Sequence, residues 1–232
     1  MAKIEEQHVL LYSGGLDSFI LRKMGKFHHI LYFDTGTVDG NRERERLDAE
    51  VKVIPFPISQ FELPNKIIPF RNYLFALCAA NYGNIITIGT TLGDTTRDKD
   101  YVFQSYCNGI LNYFGAVKEK MPYIADRFEL QMPFKNSTKA GIVRLYLSEG
   151  YNPTLLKQSR SCYEGEDTEC GECRSCLRKY VAFKANDITS LLDFAPPRQG
   201  LLVNLYEESV RKGRHPIELE EIVHCYTVKG TK

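Results

Sequence analysis

The chain has almost no excess charge: 30 lysines and arginines stand against 29 aspartates and glutamates, a net charge of +1. No global field therefore draws it to nucleic acid or to an anionic lipid surface. A basic stripe interleaved with aromatics is also missing, so no direct nucleic-acid partner is expected. Long apolar runs are absent too. The run at residues 8–12 is far too short to cross a bilayer, and the first fifteen or so residues lack the basic start and cleavage site of a secretion signal. The expectation is a cytoplasmic protein with no membrane partner. No repeat or low-complexity tract breaks the 232 residues, a length that suits one domain with an appendage. Hydrophobic residues at 43 % and charged residues at 25 % exclude wholesale disorder.

What is present alternates between strand and helix patterns. The apolar run at 8–12 ends at Ser13-Gly14-Gly15, as a buried strand feeding a tight turn would. A helix follows from Asp17 and Ser18 through Met24, stopped by Gly25, and a second strand at 29–33 leads into the loop DTGTVDG. The charged stretch 41–50 reads as a solvated face that needs no partner beyond water. A third strand at 52–58 carries Pro55 and Pro57, which makes it short or places it at an edge. Next come a helix at 71–82, a strand at 85–88 ending at Gly89, a helix around 101–114 and a strand at 128–132. Ser137 then caps an amphipathic helix through Leu147. This order predicts an α/β fold with an open, mainly parallel sheet and helices on both faces. Ligands of such sheets sit outside the carboxyl ends of the strands, where the first two loops and the one after Gly89 fall. The expected division is an α/β domain at 1–150, a small cysteine-bearing lobe at 151–186 and a helical extension at 187–232. Within the extension, a linker at 195–200 precedes short helices near 201–212 and 216–225.

Two strings carry chemistry. The first is SGGLDS, residues 13–18, at the first strand-to-helix turn. Gly14 and Gly15 let the backbone approach an oxyanion, because no Cβ intrudes. The amides opening the helix point at that anion, and the helix dipole favours negative charge there. Ser13 and Ser18 add hydroxyl donors. Asp17 would repel a bare phosphate and suits holding Mg²⁺ against one. A Gly-Gly turn with Asp17 as a helix cap accounts for the string without any ligand. No lysine follows the glycines, which excludes a G-x-x-x-x-G-K loop.

The second string holds Cys162, Cys170, Cys173 and Cys176, spaced C-x7-C-x2-C-x2-C. Four soft thiolates suit a closed tetrahedral Zn²⁺ site, with Gly171 allowing the tight turn between ligands. Arg160, Arg174, Arg178 and Lys179 are expected to offset the charge of that site. A redox pair and an iron–sulfur cluster are the alternatives. Cys78, Cys107 and Cys225 lie in apolar helical contexts and read as packing residues.

The SGGLDS string resembles the pyrophosphatase loop of enzymes that split ATP between its α and β phosphates, such as GMP synthetase. That resemblance implies an adenine-nucleotide-hydrolase-like sheet and AMP transfer rather than γ-phosphoryl transfer. In the same likeness YFDTG at residues 32–36 looks like the loop that seats adenosine. Lys139 matches a lysine that steadies pyrophosphate, a solvated helix lysine being the plain alternative. Taken with SCYEG…CGECRSCLRKYVAF, the loop resembles the 7-cyano-7-deazaguanine synthase family over about residues 9–183. IPFRN at 68–72, IGTTLGD at 88–94 and MPFKNSTKAGIVRLYLSEG at 132–150 fit it as well.

The resemblance implies a homodimer that uses ATP twice. The carboxylate of 7-carboxy-7-deazaguanine is adenylated, ammonia displaces AMP to give the amide, and adenylation of the amide then permits loss of AMP to the nitrile. It implies catalytic roles for Ser13, Asp17 and Lys139. Nucleotide contacts are expected from Tyr12, Ser13, Gly14, Gly15, Leu16, Asp17, Ser18, Phe33, Arg71 and Gly89. Deazapurine contacts are expected from Arg71, Asn72, Asp94, Asp100 and Tyr101, and the cofactors are ATP, Mg²⁺ and Zn²⁺. The chain departs from the family after Asp94, where TTRDKDYVF replaces a Tyr-Pro-Asp-Cys-Arg string. Asp100 can still accept both donors of a guanine-like edge, with Tyr101 available to stack. A solvated acidic loop is the alternative there. For the activity, a ligase that stops at the amide or serves another acceptor stays open, as does a sulfur-handling relative.

Overall fold

The computed structural model describes residues 6–94, 96–115, 127–160, 162, 164, 168–211 and 216–227. Among these, five strands form one parallel sheet: β1 (His8–Leu11), β2 (His29–Asp34), β3 (Lys52–Pro55), β4 (Ile85–Ile88) and β5 (Glu129–Gln131). The helices are α1 (Leu16–Met24), α2 (Val38–Arg44), α3 (Arg71–Ala79), α4 (Tyr101–Gly115), α5 (Lys139–Ser148), α6 (Arg174–Lys184), α7 (Gln199–Arg211) and α8 (Pro216–Thr227). The α/β class with an open parallel sheet flanked by helices is therefore the fold. No described helix is long and apolar enough to cross a membrane.

The strand order is β3-β2-β1-β4-β5. The chain builds outward from β1 on one side, then crosses over and builds outward on the other. Open sheets bind ligands at such a reversal, outside the strand carboxyl ends. Because every strand points the same way, Ser13, Thr35 and Gly89 all leave the sheet at that edge.

Two compact units are distinguished, and neither is contiguous in sequence. One comprises residues 1–13, 21–90 and 96–133 and holds the sheet with α2, α3 and α4. The other comprises 14–20, 91–95 and 134–232 and holds α5 to α8. In the first unit, strands covered on both faces read as continuous apolar runs, and β4 (IITI) is buried throughout. Val9, Leu31, Phe33, Ile86 and Leu130 pack with Ala76, Ala79, Cys107 and Leu111. In the second unit Leu177, Tyr180 and Val181 of α6 pack with Leu202, Leu205, Ile222 and Cys225 of α7 and α8.

The two sheet edges are closed by different means. β3 is one edge, and none of its residues is buried. Pro55, which has no N–H to offer, is tolerated there. β5 is the other edge, and α4 seals it. Asn112 donates to Phe128 O at 2.8 Å and accepts from Phe128 N at 2.9 Å. One turn earlier Asn108 accepts from Leu130 N at 2.7 Å, and Gln104 donates to Leu130 O at 2.8 Å. Amide side chains at i, i+4 and i+8 thus take the place of a sixth strand for the backbone groups of Phe128 and Leu130.

Three local expectations are corrected. The DTGTVDG stretch is not all loop, since Thr37 caps α2 by accepting from Gly40 N at 3.0 Å. The charged stretch is not merely solvated. Arg22 grips Asp48 at 2.7 and 2.9 Å and Glu50 at 2.7 Å, Arg44 meets Asp34 at 2.9 Å, and Tyr32 Oη donates to Glu43 at 3.2 Å. Burial pushes the Glu43 carboxyl up to about 7. Finally, α5 is capped by Thr138 rather than Ser137: its oxygen accepts from Gly141 N at 3.0 Å.

The sealing of β5 is testable. Asn108→Leu keeps the branched outline of the side chain but strands the Leu130 N–H, which is expected to cost about 1–3 kcal/mol and to lower the urea midpoint. An unchanged midpoint would mean that α4 does not close this edge.

Candidate active site and metal centre

The loop after β1 is a tight glycine turn that opens directly into α1. Gly14 sits at φ +72° with open space where a Cβ would be, so the demand for glycine is conformational rather than steric. Arg160 N holds the Gly14 carbonyl at 2.9 Å, and Phe19 N bonds Gly15 O at 2.9 Å as α1 begins. Ser18 is buried and its Oγ donates to Gly15 O at 3.1 Å, so it braces the turn from below. Ser13 is exposed, Leu16 is buried, and Asp17 lies in the first turn of α1.

Lys139, 122 residues away, pairs with Asp17 through Nζ and Oδ1. Both side chains are largely buried, at 11 % and 14 % exposure, which rules out a solvated lysine. A lysine in the first turn of a helix also opposes the helix dipole. Helix stability gives no reason for a buried cation at that place, and such misfit charges mark candidate functional groups.

The remaining candidates fall as follows. The Tyr12 ring carries the Arg22 guanidinium over its face at 5.3 Å, and Tyr12 N donates to Leu31 O. Phe33 is in the core, stacked on Phe75 at 4.6 Å, so only its backbone can meet a ligand. Arg71 opens α3 behind Phe70, which is 76 % exposed and held at φ +62°. Asn72 is buried and donates to Asp98 Oδ2 at 2.9 Å. Gly89 follows β4, and the next residue, Thr90, has a buried hydroxyl with no hydrogen-bond partner among the described residues. Asp100 Oδ1 caps α4 by accepting from Phe103 N at 2.8 Å, and Tyr101 is half exposed. Asp94 has both oxygens engaged, with Thr91 N at 3.0 Å and Arg178 Nη1 at 3.1 Å.

The four cysteines converge. Sulfur–sulfur separations are 3.5 Å for Cys173–Cys176, 3.9 Å for Cys170–Cys176 and 4.0 Å for Cys162–Cys173, and all four lie within 4.8 Å of one another. Sulfurs bonded about 2.3 Å from one tetrahedral metal stand about 3.8 Å apart, so the set fits a single ion. Gly171 makes the left-handed turn between ligands at φ +73°, and Cys173 starts α6. The amides of Cys173 and Glu172 donate to Cys170 Sγ at 3.2 and 3.4 Å, and that of Cys170 to Cys162 Sγ at 3.3 Å. Such bonds favour thiolates. The neighbouring Cys173 thiol and burial push the Cys176 thiol far above its usual range, so a cation is what would make four thiolates tolerable here. Cys107, pushed up to about 11 by burial, packs in the sheet core, and Cys225 of α8 packs against α6.

The expected role of the nearby cations needs correction. Arg178 and Lys179 do not serve the sulfurs. Arg178 is buried and binds Glu218 at 2.7 Å, Thr91 Oγ1 at 3.0 Å and Asp94. Lys179 binds Glu169 at 2.5 Å and Ser159 O at 2.7 Å. Sequence reasoning missed this network because Glu169 and Glu218 look like surface acids until the fold buries them.

The family model for "Queuosine biosynthesis protein QueC" matches residues 29–187, more than half of the chain. The chain belongs to the QueC family. Two QueC relatives carry the name 7-cyano-7-deazaguanine synthase. That of Alteromonas mediterranea is 27 % identical over 237 residues, covering 82 % of this chain and 100 % of the relative. That of Archaeoglobus fulgidus is 30 % identical over 190 residues, covering 80 % and 75 %. Among solved structures, a predicted subunit of tRNA methyltransferase from Methanocaldococcus jannaschii aligns at TM-score 0.41 and 17 % identity, covering 62 % of this chain and 76 % of that one.

The QueC match includes all four cysteines, and the metal reading is directly testable. Metal analysis of the purified protein is expected to give about one ion per chain. Cys173→Ser should reduce recovery of soluble protein, because binding and folding are coupled. A metal-free protein that stays folded would contradict the assignment.

Proposed function

We propose that this QueC-family chain converts 7-carboxy-7-deazaguanine and ammonia to 7-cyano-7-deazaguanine with two ATP molecules, releasing AMP and pyrophosphate. The observation that carries the reading is the pairing of Asp17 with Lys139 at the turn formed by residues 13–18. A carboxylate is a poor electrophile until one of its oxygens becomes part of a leaving group, and adenylation supplies that. The amides at the head of α1, with Ser13, are suited to hold the β and γ phosphates, and Lys139 to balance the charge gathering on departing pyrophosphate. Mg²⁺, when bound, would neutralise phosphate charge, with Asp17 the carboxylate available to hold it.

Contacts of Phe33, Arg71 and Gly89 with nucleotide, and of Arg71, Asn72, Asp100 and Tyr101 with the deazapurine, belong to the same reading. Asp100 keeps one oxygen for a guanine-like edge while the other caps α4. Asp94, proposed for a deazapurine contact as well, also fixes its own turn by accepting from Thr91 N. Zinc is the metal assigned to the cysteines. An iron–sulfur cluster puts its thiolates on separate irons, which would spread the sulfurs farther than the observed 3.5–4.0 Å separations. The free thiols suit a reducing cytoplasm. A homodimer is also part of the proposal: Val102, Tyr106, Ile110, Tyr113 and Phe114 stand exposed on α4, an apolar area that a second copy would cover.

Incubation with ATP, ammonia and 7-carboxy-7-deazaguanine is expected to yield AMP, pyrophosphate and a product with the mass of the nitrile. The amide mass would favour a ligase that stops one step earlier. Asp17→Asn is expected to reduce pyrophosphate release per folded molecule by about a hundredfold or more, and, because it leaves Lys139 without its buried partner, to lower stability by about 3–5 kcal/mol. Normal turnover by that variant, or ADP as the nucleotide product, would overturn the reading.

A further inference from the structure

The family match ends at residue 187, and α8 lies beyond it. Yet α8 reaches back to the parts that carry the chemistry. Glu218, 4 % exposed, accepts from Arg178 Nε at 2.7 Å. Arg178 in turn donates to Asp94 and Thr91, the two ends of the turn that follows β4. That turn is further tied by Asp94 N to Thr91 O at 3.0 Å and by Leu92 N to Ser137 O at 3.0 Å. One helical turn after Glu218, Glu221 accepts from Thr138 Oγ1 at 2.7 Å. Thr138 is the cap of α5, and Lys139 is the next residue.

We propose that α8 is a positioning element for this site: Glu218 fixes the 91–94 turn through Arg178, and Glu221 fixes the head of α5, and so Lys139, through Thr138. The proposal rests on the reading of residues 13–18 and Lys139 as the ATP-phosphate site.

Three observations set this network apart from an ordinary surface clasp. The Glu218 carboxylate is packed so closely on the turn that a Cβ at Gly93 would stand 1.7 Å from Oε2, so the missing side chain of Gly93 leaves the room that the carboxylate occupies. That same Oε2 is buried with no hydrogen-bond partner among the described residues, which costs stability. One arginine also faces two carboxylates, and Asp17 adds its field to theirs at Arg178. A buried set of this kind contributes little net stability over apolar packing but fixes geometry. Glu218 and Glu221, at i and i+3, point to one side of α8 and act on two separate segments.

The test compares the full-length parent with Glu218→Gln and Glu221→Gln by amide hydrogen exchange and by steady-state pyrophosphate release. Loss of a charge-assisted bond is expected to speed exchange about tenfold or more, at residues 91–94 in the first variant and 139–142 in the second. Each variant is also expected to show a lower kcat with little change in KM for the deazapurine acid, at a melting temperature within a few degrees of the parent. Unchanged exchange in both variants would overturn the proposal. So would a lowered melting temperature with parental kcat per folded molecule, the signature of a merely structural contact. If Glu218→Gln does not fold, Glu221→Gln, on a less buried residue, decides. The exchange measurement needs no substrate. A parent that releases no pyrophosphate would therefore sink the functional reading while leaving this one to be decided.

Discussion

The pairing of Asp17 with Lys139 is the constraint around which the second unit is arranged. It sets a carboxylate in the first turn of α1 against a lysine in the first turn of α5, both largely buried. Taking two charges out of water costs several kcal/mol per ion before their attraction repays it. The lysine bears the further penalty of sitting at the positive end of a helix dipole. Such a pair persists when its surroundings hold it in place. Here Arg160 N anchors the Gly14 carbonyl, Thr138 caps α5, and Glu221 anchors Thr138. Polyphosphate near this place would meet the amides of α1 and a cation already held in position, so little reorganisation is needed when charge develops.

The cysteine cluster supports the same arrangement from the other end. Cys173 begins α6, and the helix then presents Arg178 and Lys179 to buried acids. Metal bound by the four thiols would fix the start of α6 and thereby the reach of Arg178. On that reading the metal would act on structure alone, as a closed four-thiolate shell leaves no coordination position for substrate.

How legible this was in the sequence depends on the range of each interaction. The strands were legible because buried parallel strands write continuous apolar runs, as in HVLL and IITI. The Gly14-Gly15 turn into α1 and the convergence of the four cysteines were legible because each lies in a nearly contiguous string. Thr138 was mistaken for its neighbour Ser137 because two adjacent hydroxyl residues offer the same capping chemistry, and only the backbone decides between them. Arg178, Glu218 and Glu221 were out of reach. A charged residue on a helix is usually solvated, and their partners lie 40 to 87 residues away in the chain. Asp100 shows the opposite limit. Its position was singled out, but its role as the cap of α4 appears only once the helix start is fixed.

The central claim is that the acid is activated by bonding one of its own oxygens to the α phosphorus of ATP. Labelling the carboxylate of 7-carboxy-7-deazaguanine with ¹⁸O and analysing the nucleotide product by mass spectrometry tests this directly. Attack on the α phosphorus, followed by displacement by ammonia, leaves one labelled oxygen in AMP. Unlabelled AMP, or label recovered in inorganic phosphate together with ADP, would contradict the account.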